Sequence, residues 1–284
     1  DHLFTAQGDV VLKIILITGA TDGIGLETAK MQSGLGHTVL LHGRSADKLA
    51  DVEEMLRAQP GAGHVETYVA DFSSMADVKA LASDVVAAHP TVDILINNAG
   101  IYGTPNTRTA DGLDTRFAVN TIAPYVLTRL LLPQMAKSGR VINLSSAAQA
   151  PVDLRALSGK MPLSDGAAYA QSKLALMMWS RVLAESLQGE GPAVIAINPG
   201  SLLATKMVMD AYGSARAGVD VGAQIVTQAA LSDAFQNASG RYFDNDEGRF
   251  AAPHPDALHP TKAKQVVAAI EEVLARITPS SGRG

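Results

Sequence analysis

Val11-Leu-Lys-Ile-Ile-Leu-Ile17 runs directly into Thr18-Gly-Ala-Thr-Asp-Gly-Ile-Gly25. An apolar, β-branched run that meets closely spaced glycines and then an amphipathic stretch reads as strand, tight turn and helix. Gly19, Gly23 and Gly25 carry no Cβ, so the chain turns sharply there and a pyrophosphate has room to approach. The amides at a helix N-terminus lack partners, and the helix dipole favours an anion at that end. The spacing is G-x-x-x-G-x-G rather than G-x-G-x-x-G. After a strand and before a helix it still predicts a dinucleotide site built from Gly19, Thr21, Asp22, Gly23, Ile24 and Gly25.

The rest of the chain repeats this alternation. Short β-branched runs recur at 38–41, 65–69, 94–96, 141–144 and 194–197, and helical patterns lie near 24–35, 47–58, 75–88, 113–136 and 168–187. Nearly continuous apolar strands alternating with helices predict an α/β fold, with a parallel sheet covered on both faces. Right-handed crossovers make that sheet doubly wound and put the ligand crevice at the carboxyl ends of the strands. No linker or repeat divides the 284 residues, so one domain over 1–284 is expected. Its core runs over 11–200, and a substrate loop and C-terminal segment follow over 201–284. Two irregular stretches, 147–167 and 201–218, are expected as substrate walls, the first also as a disordered lid. A last helix is predicted over about 261–277, with a frayed end beyond it.

Composition narrows the class. Apolar residues are 47% and charged residues 18%, which is globular, and the net charge of −5 points to no nucleic-acid partner. There is no cysteine, which removes thiolate nucleophiles and disulfides. No apolar stretch is long enough for a membrane span, and the start lacks the features of a signal peptide. The chain begins at Asp1 rather than Met. A cytoplasmic protein is the expectation. The seven histidines suggest no metal site; His37, His42, His254 and His259 read as surface residues.

The second strand ends in His42-Gly43-Arg44-Ser45. An acidic residue at that place suits ribose hydroxyls, whereas a guanidinium suits a 2′-phosphate, so Arg44 with Ser45 favours NADP over NAD. Asp22 nearby adds an opposing negative charge. Asp71, with Phe72 beside it, either accepts a bond from the adenine amino group or caps the helix that follows. Asn97-Asn98-Ala99-Gly100 closes the fourth strand, where small residues let a cofactor ribose pass. Tyr169 and Lys173, four residues apart, share a helix face. An ammonium beside a phenol lowers a pKa that starts near ~10, which makes the tyrosine usable as acid or base.

Thr18-Gly-x-x-x-Gly-x-Gly25, Asn97-Asn-Ala-Gly100, Asn120, Ser146, Tyr169-x-x-x-Lys173 and Pro199-Gly200, in that order, resemble the short-chain dehydrogenase/reductase family over 11–200. The long gap between Ser146 and Tyr169, Tyr169-Ala-Gln-Ser-Lys-Leu174 and Gly240-Arg-Tyr-Phe243 are similar to its retinol-dehydrogenase-like branch. The resemblance implies a Rossmann-type fold and a hydride transfer between nicotinamide and a carbonyl or alcohol. It implies that Tyr169 exchanges a proton with the substrate oxygen and that Ser146 donates a hydrogen bond to it. Lys173 would lower the tyrosine pKa and bond the nicotinamide ribose, and Asn120 would anchor a relay water. Ser146 is chosen over Ser145 by the family pattern alone. Asn98, Ala99, Gly100, Pro199 and Gly200 would line the cofactor. Thr205 would bond the carboxamide, although it sits one position further from Gly200 than the family spacing.

Two other readings stand beside this one: reduction of a carbon–carbon double bond, and a non-catalytic NADP-sensing protein. Leu202, Leu203, Met207, Val208, Met209 and Tyr212 suggest an apolar substrate wall or plain packing. Relatives often pair through helices matching 113–136 and 168–187, so a homodimer or homotetramer is expected. Met177, Met178 and Trp179 fit an interface or the core.

Overall fold

The computed structural model describes residues 11–215 and 217–277. The segment read as a frayed end, 278–284, lies outside them. The strands are β1 (Ile14–Ile17), β2 (Thr38–Gly43), β3 (Val65–Val69), β4 (Ile94–Asn97), β5 (Arg140–Leu144), β6 (Ala193–Asn198), β7 (Tyr242–Asp244) and β8 (Arg249–Ala251). They form one sheet in the order β3-β2-β1-β4-β5-β6-β7-β8, parallel throughout except for the antiparallel β7–β8 pair. The first six are the predicted strands, shifted by a few residues at most. β1 starts at Ile14 because pairing with β2 begins at Ile14 and Thr38; Val11 and Leu12 ahead of it are exposed. β7 and β8 were not predicted as strands. Each has three residues, too few to show a period.

The helices are α1 (Gly23–Gly34), α2 (Ala46–Arg57), α3 (Met75–Ala88), α4 (Thr115–Phe117), α5 (Ala123–Leu131), α6 (Leu154–Leu157), α7 (Asp165–Leu187), α8 (Lys206–Tyr212), α9 (Val219–Leu231), α10 (Pro255–Leu258) and α11 (Pro260–Ile277). Side-chain caps set many of their starts: Asp22 for α1, Ser45 for α2, Ser74 for α3 and Ser164 for α7. The predicted helix over 113–136 is interrupted. A π turn, Ala118–Ile122, joins α4 to α5, and a short 3₁₀ turn ends it.

Alternate side chains of each strand enter opposite cores. Leu16, Leu40, Leu95 and Val141 face one layer, with residues of α3, α5, α7 and α11. Ile15, Ile17, Leu41, Ile94 and Ile142 face the other, with residues of α2 and α9. α11 packs along α7 and buries Ala263, Val266, Ile270 and Val273. Met177, Met178 and Trp179 therefore belong to the core, and the Trp179 indole N–H donates to the Thr121 carbonyl at 3.2 Å. The α7 surface around these residues is covered within one chain. His37 and His42, expected on the surface, are each 2% exposed: both faces of β2 are buried at His42, and His37, just ahead of β2, accepts from the Lys13 amide at 3.2 Å through Nδ1. Among the described residues no helix is long and apolar enough to cross a membrane.

Candidate active site

The strand order reverses direction between β1 and β4, and the carboxyl ends of the parallel strands open there into a cavity of about 1130 Å³. Its first end is the glycine turn. Gly19 (φ +64°) and Gly23 (φ +56°) hold left-handed conformations that favour glycine. A Cβ on Gly25 would lie 2.2 Å from the Gly19 carbonyl oxygen and 2.4 Å from Asn98 Nδ2. Gly25 therefore lets the turn close on itself, while Gly19, Thr21, Asp22, Gly23 and Ile24 line the cavity. Asn98 ties the turn to β4: its Nδ2 donates to the carbonyls of Thr18 and Gly19 at 2.9 and 3.0 Å. The Thr18 hydroxyl accepts from the amides of Asn98 and Ala99, both at 3.0 Å. One residue further, Asn97 reaches Thr128 Oγ1 and Asn143 Oδ1 and braces the sheet from below.

Arg44, Asp71 and Phe72 line the cavity where β2 and β3 end. Arg44 is exposed and lines the cavity. Ser45 does not line the cavity; its hydroxyl accepts from the Lys48 amide and caps α2. Asp71 is not the cap of α3. That place belongs to Ser74, and Asp71 accepts from the Ser73 amide at 2.9 Å.

His42 does work that sequence reading missed. Its Nδ1 accepts from the Gly19 amide at 3.2 Å and its Nε2–H donates to the Ala70 carbonyl at 3.1 Å. Its ring stacks on Phe72, 4.1 Å between centroids. Burial holds this imidazole neutral, pushing its pKa down to about 4. One side chain thus joins the ends of β1, β2 and β3 around the glycine turn. The apolar neighbours Leu40 and Leu41 were a usable signal that position 42 is buried.

At the other end Ser146, Tyr169 and Lys173 come together on the cavity wall. Ser146 leaves the end of β5, and Tyr169 and Lys173 stand one turn apart on α7. The Ser146 hydroxyl faces the Tyr169 phenol and favours its ionised form. Lys173 is buried, with Nζ donating to the Leu144 carbonyl at 2.7 Å and standing 5.7 Å from the centre of the Tyr169 ring. Burial lowers the lysine pKa to about 8. Burial also pushes the Tyr169 phenol up, opposed by the Ser146 hydroxyl. The direction is opposite to the one expected from the lysine neighbour, because desolvation of the phenolate outweighs an ammonium that is turned to Leu144. A Cβ on Gly100 would lie 3.3 Å from Lys173 Nζ, so the bare glycine leaves the ammonium open to the cavity.

Asn120 lies in the π turn and does not line the cavity. Its amide is committed on every side: it accepts from the Ile101 amide at 2.8 Å and donates to the Ile101 carbonyl at 2.9 Å and to Ser172 Oγ at 3.0 Å. Pro199, Gly200 and Thr205 complete the wall beside the glycine turn. Thr205 caps α8 and its methyl group sits beside Gly23.

The outer walls differ in part from expectation. Leu203, Met207 and Val208 face the cavity, whereas Leu202, Met209 and Tyr212 do not line it. Of residues 147–167 only Asp165 does; the segment instead carries α6 and buries Ala156 and Leu157 against the core. The opposite wall is the stretch from Ile101 to Ala110, which sequence reading passed over. Thr104-Pro105-Asn106, directly after a strand that ends at the crevice, was the available signal. Tyr102 in this wall lies 5.2 Å from Tyr169, ring centre to ring centre, and 6.0 Å from Tyr212.

The chain is similar to known proteins. A family model described as short chain dehydrogenase matches residues 13–216. Retinol dehydrogenase 13 of Mus musculus is 33% identical over 265 residues, covering 86% of this chain and 78% of that protein. A crystal structure of an uncharacterized protein from Mycobacterium paratuberculosis superposes with a TM-score of 0.77 at 27% identity, covering 93% of both chains. A short chain dehydrogenase from Burkholderia cenocepacia, solved in complex with NADP, superposes with a TM-score of 0.66 at 26% identity, covering 82% of this chain and 95% of that one. With the doubly wound sheet, the glycine turn and the Ser–Tyr–Lys wall in one crevice, the match over most of the chain identifies it as a member of the short-chain dehydrogenase family.

Proposed function

We propose that this protein is an NADP-dependent oxidoreductase that interconverts a carbonyl and an alcohol on an apolar small molecule, with Tyr169 as its acid and base. The observation that carries the reading is that one crevice joins a glycine turn and Arg44 at one end to Ser146, Tyr169 and Lys173 at the other. The residues fit a dinucleotide. The left-handed glycines bring the backbone of the turn to the cavity wall at the α1 N-terminus, Arg44 offers a guanidinium for a 2′-phosphate, and Gly100 leaves Lys173 reachable. Gly19, Thr21, Asp22, Gly23 and Ile24 would hold the pyrophosphate side, Asp71 and Phe72 the adenine, and Asn98 through Gly100 with Pro199, Gly200 and Thr205 the nicotinamide side. A bound nicotinamide supplies or accepts the hydride.

The chain's own residues manage the proton. In reduction the Tyr169 phenol donates its proton to the substrate oxygen; in oxidation the phenolate takes it back. Ser146, beside that phenol on the cavity wall, donates to the same substrate oxygen as charge develops on it. Lys173, which donates to the Leu144 carbonyl in this structure, would hold a ribose hydroxyl of the cofactor beside the phenolate. Its charge then offsets the burial that holds the Tyr169 pKa high. Asn120 acts as a brace: by pinning Ile101 it fixes the wall that carries Tyr102. Leu203, Met207, Val208 and Val119 supply the apolar substrate surface.

The test is loss of NADPH absorbance with a panel of apolar aldehydes and ketones, repeated with NADH and with Tyr169→Phe. Turnover with NADPH that vanishes in Tyr169→Phe supports the reading. Turnover unchanged in that variant refutes the role of Tyr169. NADPH binding with turnover only on activated alkenes points to double-bond reduction, and binding without any turnover points to a sensor.

A further inference from the structure

The wall formed by Asn198, Pro199 and Gly200 is not held by its own backbone. Gly200 has φ +130°, which favours glycine, and the chain then passes Leu202 at φ +54° before α8 begins. Such a loop needs outside partners for its polar groups. They come from the turn between β7 and β8. The Asn245 amide donates to the Asn198 carbonyl at 3.0 Å, and Asn245 Nδ2 donates to the Pro199 carbonyl at 2.9 Å. Asp246 takes three bonds from the loop. Its Oδ1 accepts from the Ser201 amide at 2.8 Å, and its Oδ2 accepts from Ser201 Oγ at 2.5 Å and from Asn198 Nδ2 at 2.9 Å. Asn198 in turn accepts from the Gly200 amide at 3.2 Å. The Asp246 carboxylate is itself oriented by its own backbone, whose amide donates to Asp244 Oδ1 at 2.9 Å.

We infer that Asp246 is a positioning residue for the cofactor, setting the backbone of 198–201 in the shape that the nicotinamide side requires. It does not line the cavity and acts through Asn198 and Ser201. The late hairpin is therefore a clamp on the crevice rather than a sheet extension alone. The inference rests on the dinucleotide reading above. In the free protein the loop is held by a carboxylate near solvent, so loss of Asp246 costs the fold little. The loop then has to be ordered each time cofactor binds, which lowers affinity.

The experiment titrates NADPH into the full chain, following nicotinamide fluorescence, and measures the melting temperature of each protein. Asp246→Ala is compared with Asp246→Asn, Ser201→Ala and, on the same turn, Glu247→Ala. Expected is NADPH binding about tenfold weaker in Asp246→Ala, on the scale of one lost charge-assisted hydrogen bond. Asp246→Asn, which keeps an acceptor for the Ser201 amide, should fall between this variant and the parent. Glu247→Ala should bind as the parent does, with its kcat at saturating NADPH within about twofold of the parent's. Affinity equal to the parent in Asp246→Ala and Asp246→Asn overturns the inference. So does an equal weakening in Glu247→Ala, or a loss that simply tracks the melting temperature. Should Asp246→Ala fail to fold, Asp246→Asn and Ser201→Ala carry the same comparison. A parent that binds neither NADPH nor NADH overturns the dinucleotide reading itself, and the positioning role with it.

Discussion

Acid should weaken this protein through His42, and the size of the effect follows from its surroundings. The imidazole is 2% exposed, accepts from the Gly19 amide and donates to the Ala70 carbonyl. A second proton on Nδ1 would break the first bond and bury a charge, so the folded pKa drops from 6.5 to about 4. Between those values the unfolded chain binds a proton at His42 and the folded one does not. Stability is therefore full above pH 6.5 and is lost as pH falls toward 4. At ~1.4 kcal/mol per tenfold, the whole interval is worth about 3 kcal/mol, of which about 2 kcal/mol is gone by pH 5. The assay is urea unfolding at pH 7.5, 6 and 5 for the parent and for His42→Asn and His42→Phe, which cannot titrate. The variants should begin less stable at pH 7.5 and lose about 2 kcal/mol less than the parent by pH 5. His37, whose pKa burial also lowers, adds to the acid loss in parent and variants alike and cancels in the comparison. Parallel losses in parent and variants would refute the reasoning.

Three further outcomes are expected. Gly25→Ala places a Cβ 2.2 Å from the Gly19 carbonyl oxygen, so urea unfolding should show a loss of roughly 3 kcal/mol together with weakened NADPH binding. Arg44→Ala should raise KM for NADPH by about 10- to 100-fold while KM for NADH changes little, the cost of one charged contact to a 2′-phosphate. Because Lys173 titrates near 8 in the free protein and its ammonium is needed beside Tyr169, kcat/KM for carbonyl reduction should fall as pH rises through about 8. A profile flat from pH 7 to 9.5 would contradict that role for Lys173.

Short-range rules made much of this protein readable from its residues. Alternation between two cores is written into Ile15, Leu16 and Ile17, and the first six strands follow from such runs. The glycine turn and the Tyr169–Lys173 pair need only local geometry, four residues on one helix face or a Cβ that has no room. Two features that sequence reading missed depend on contacts across long separations. The burial of His42 needs β1 and β3 on both sides of β2, and the clamp at Asp246 joins residues more than forty positions apart through the register of β6 and β7. The Tyr169 pKa followed the same logic, since the neighbouring lysine is visible in sequence and the burial that outweighs it is not. Periodicity and turn chemistry decide which elements form, whereas the order in which strands pair decides which of their ends share a crevice, and that order is a property of the whole chain.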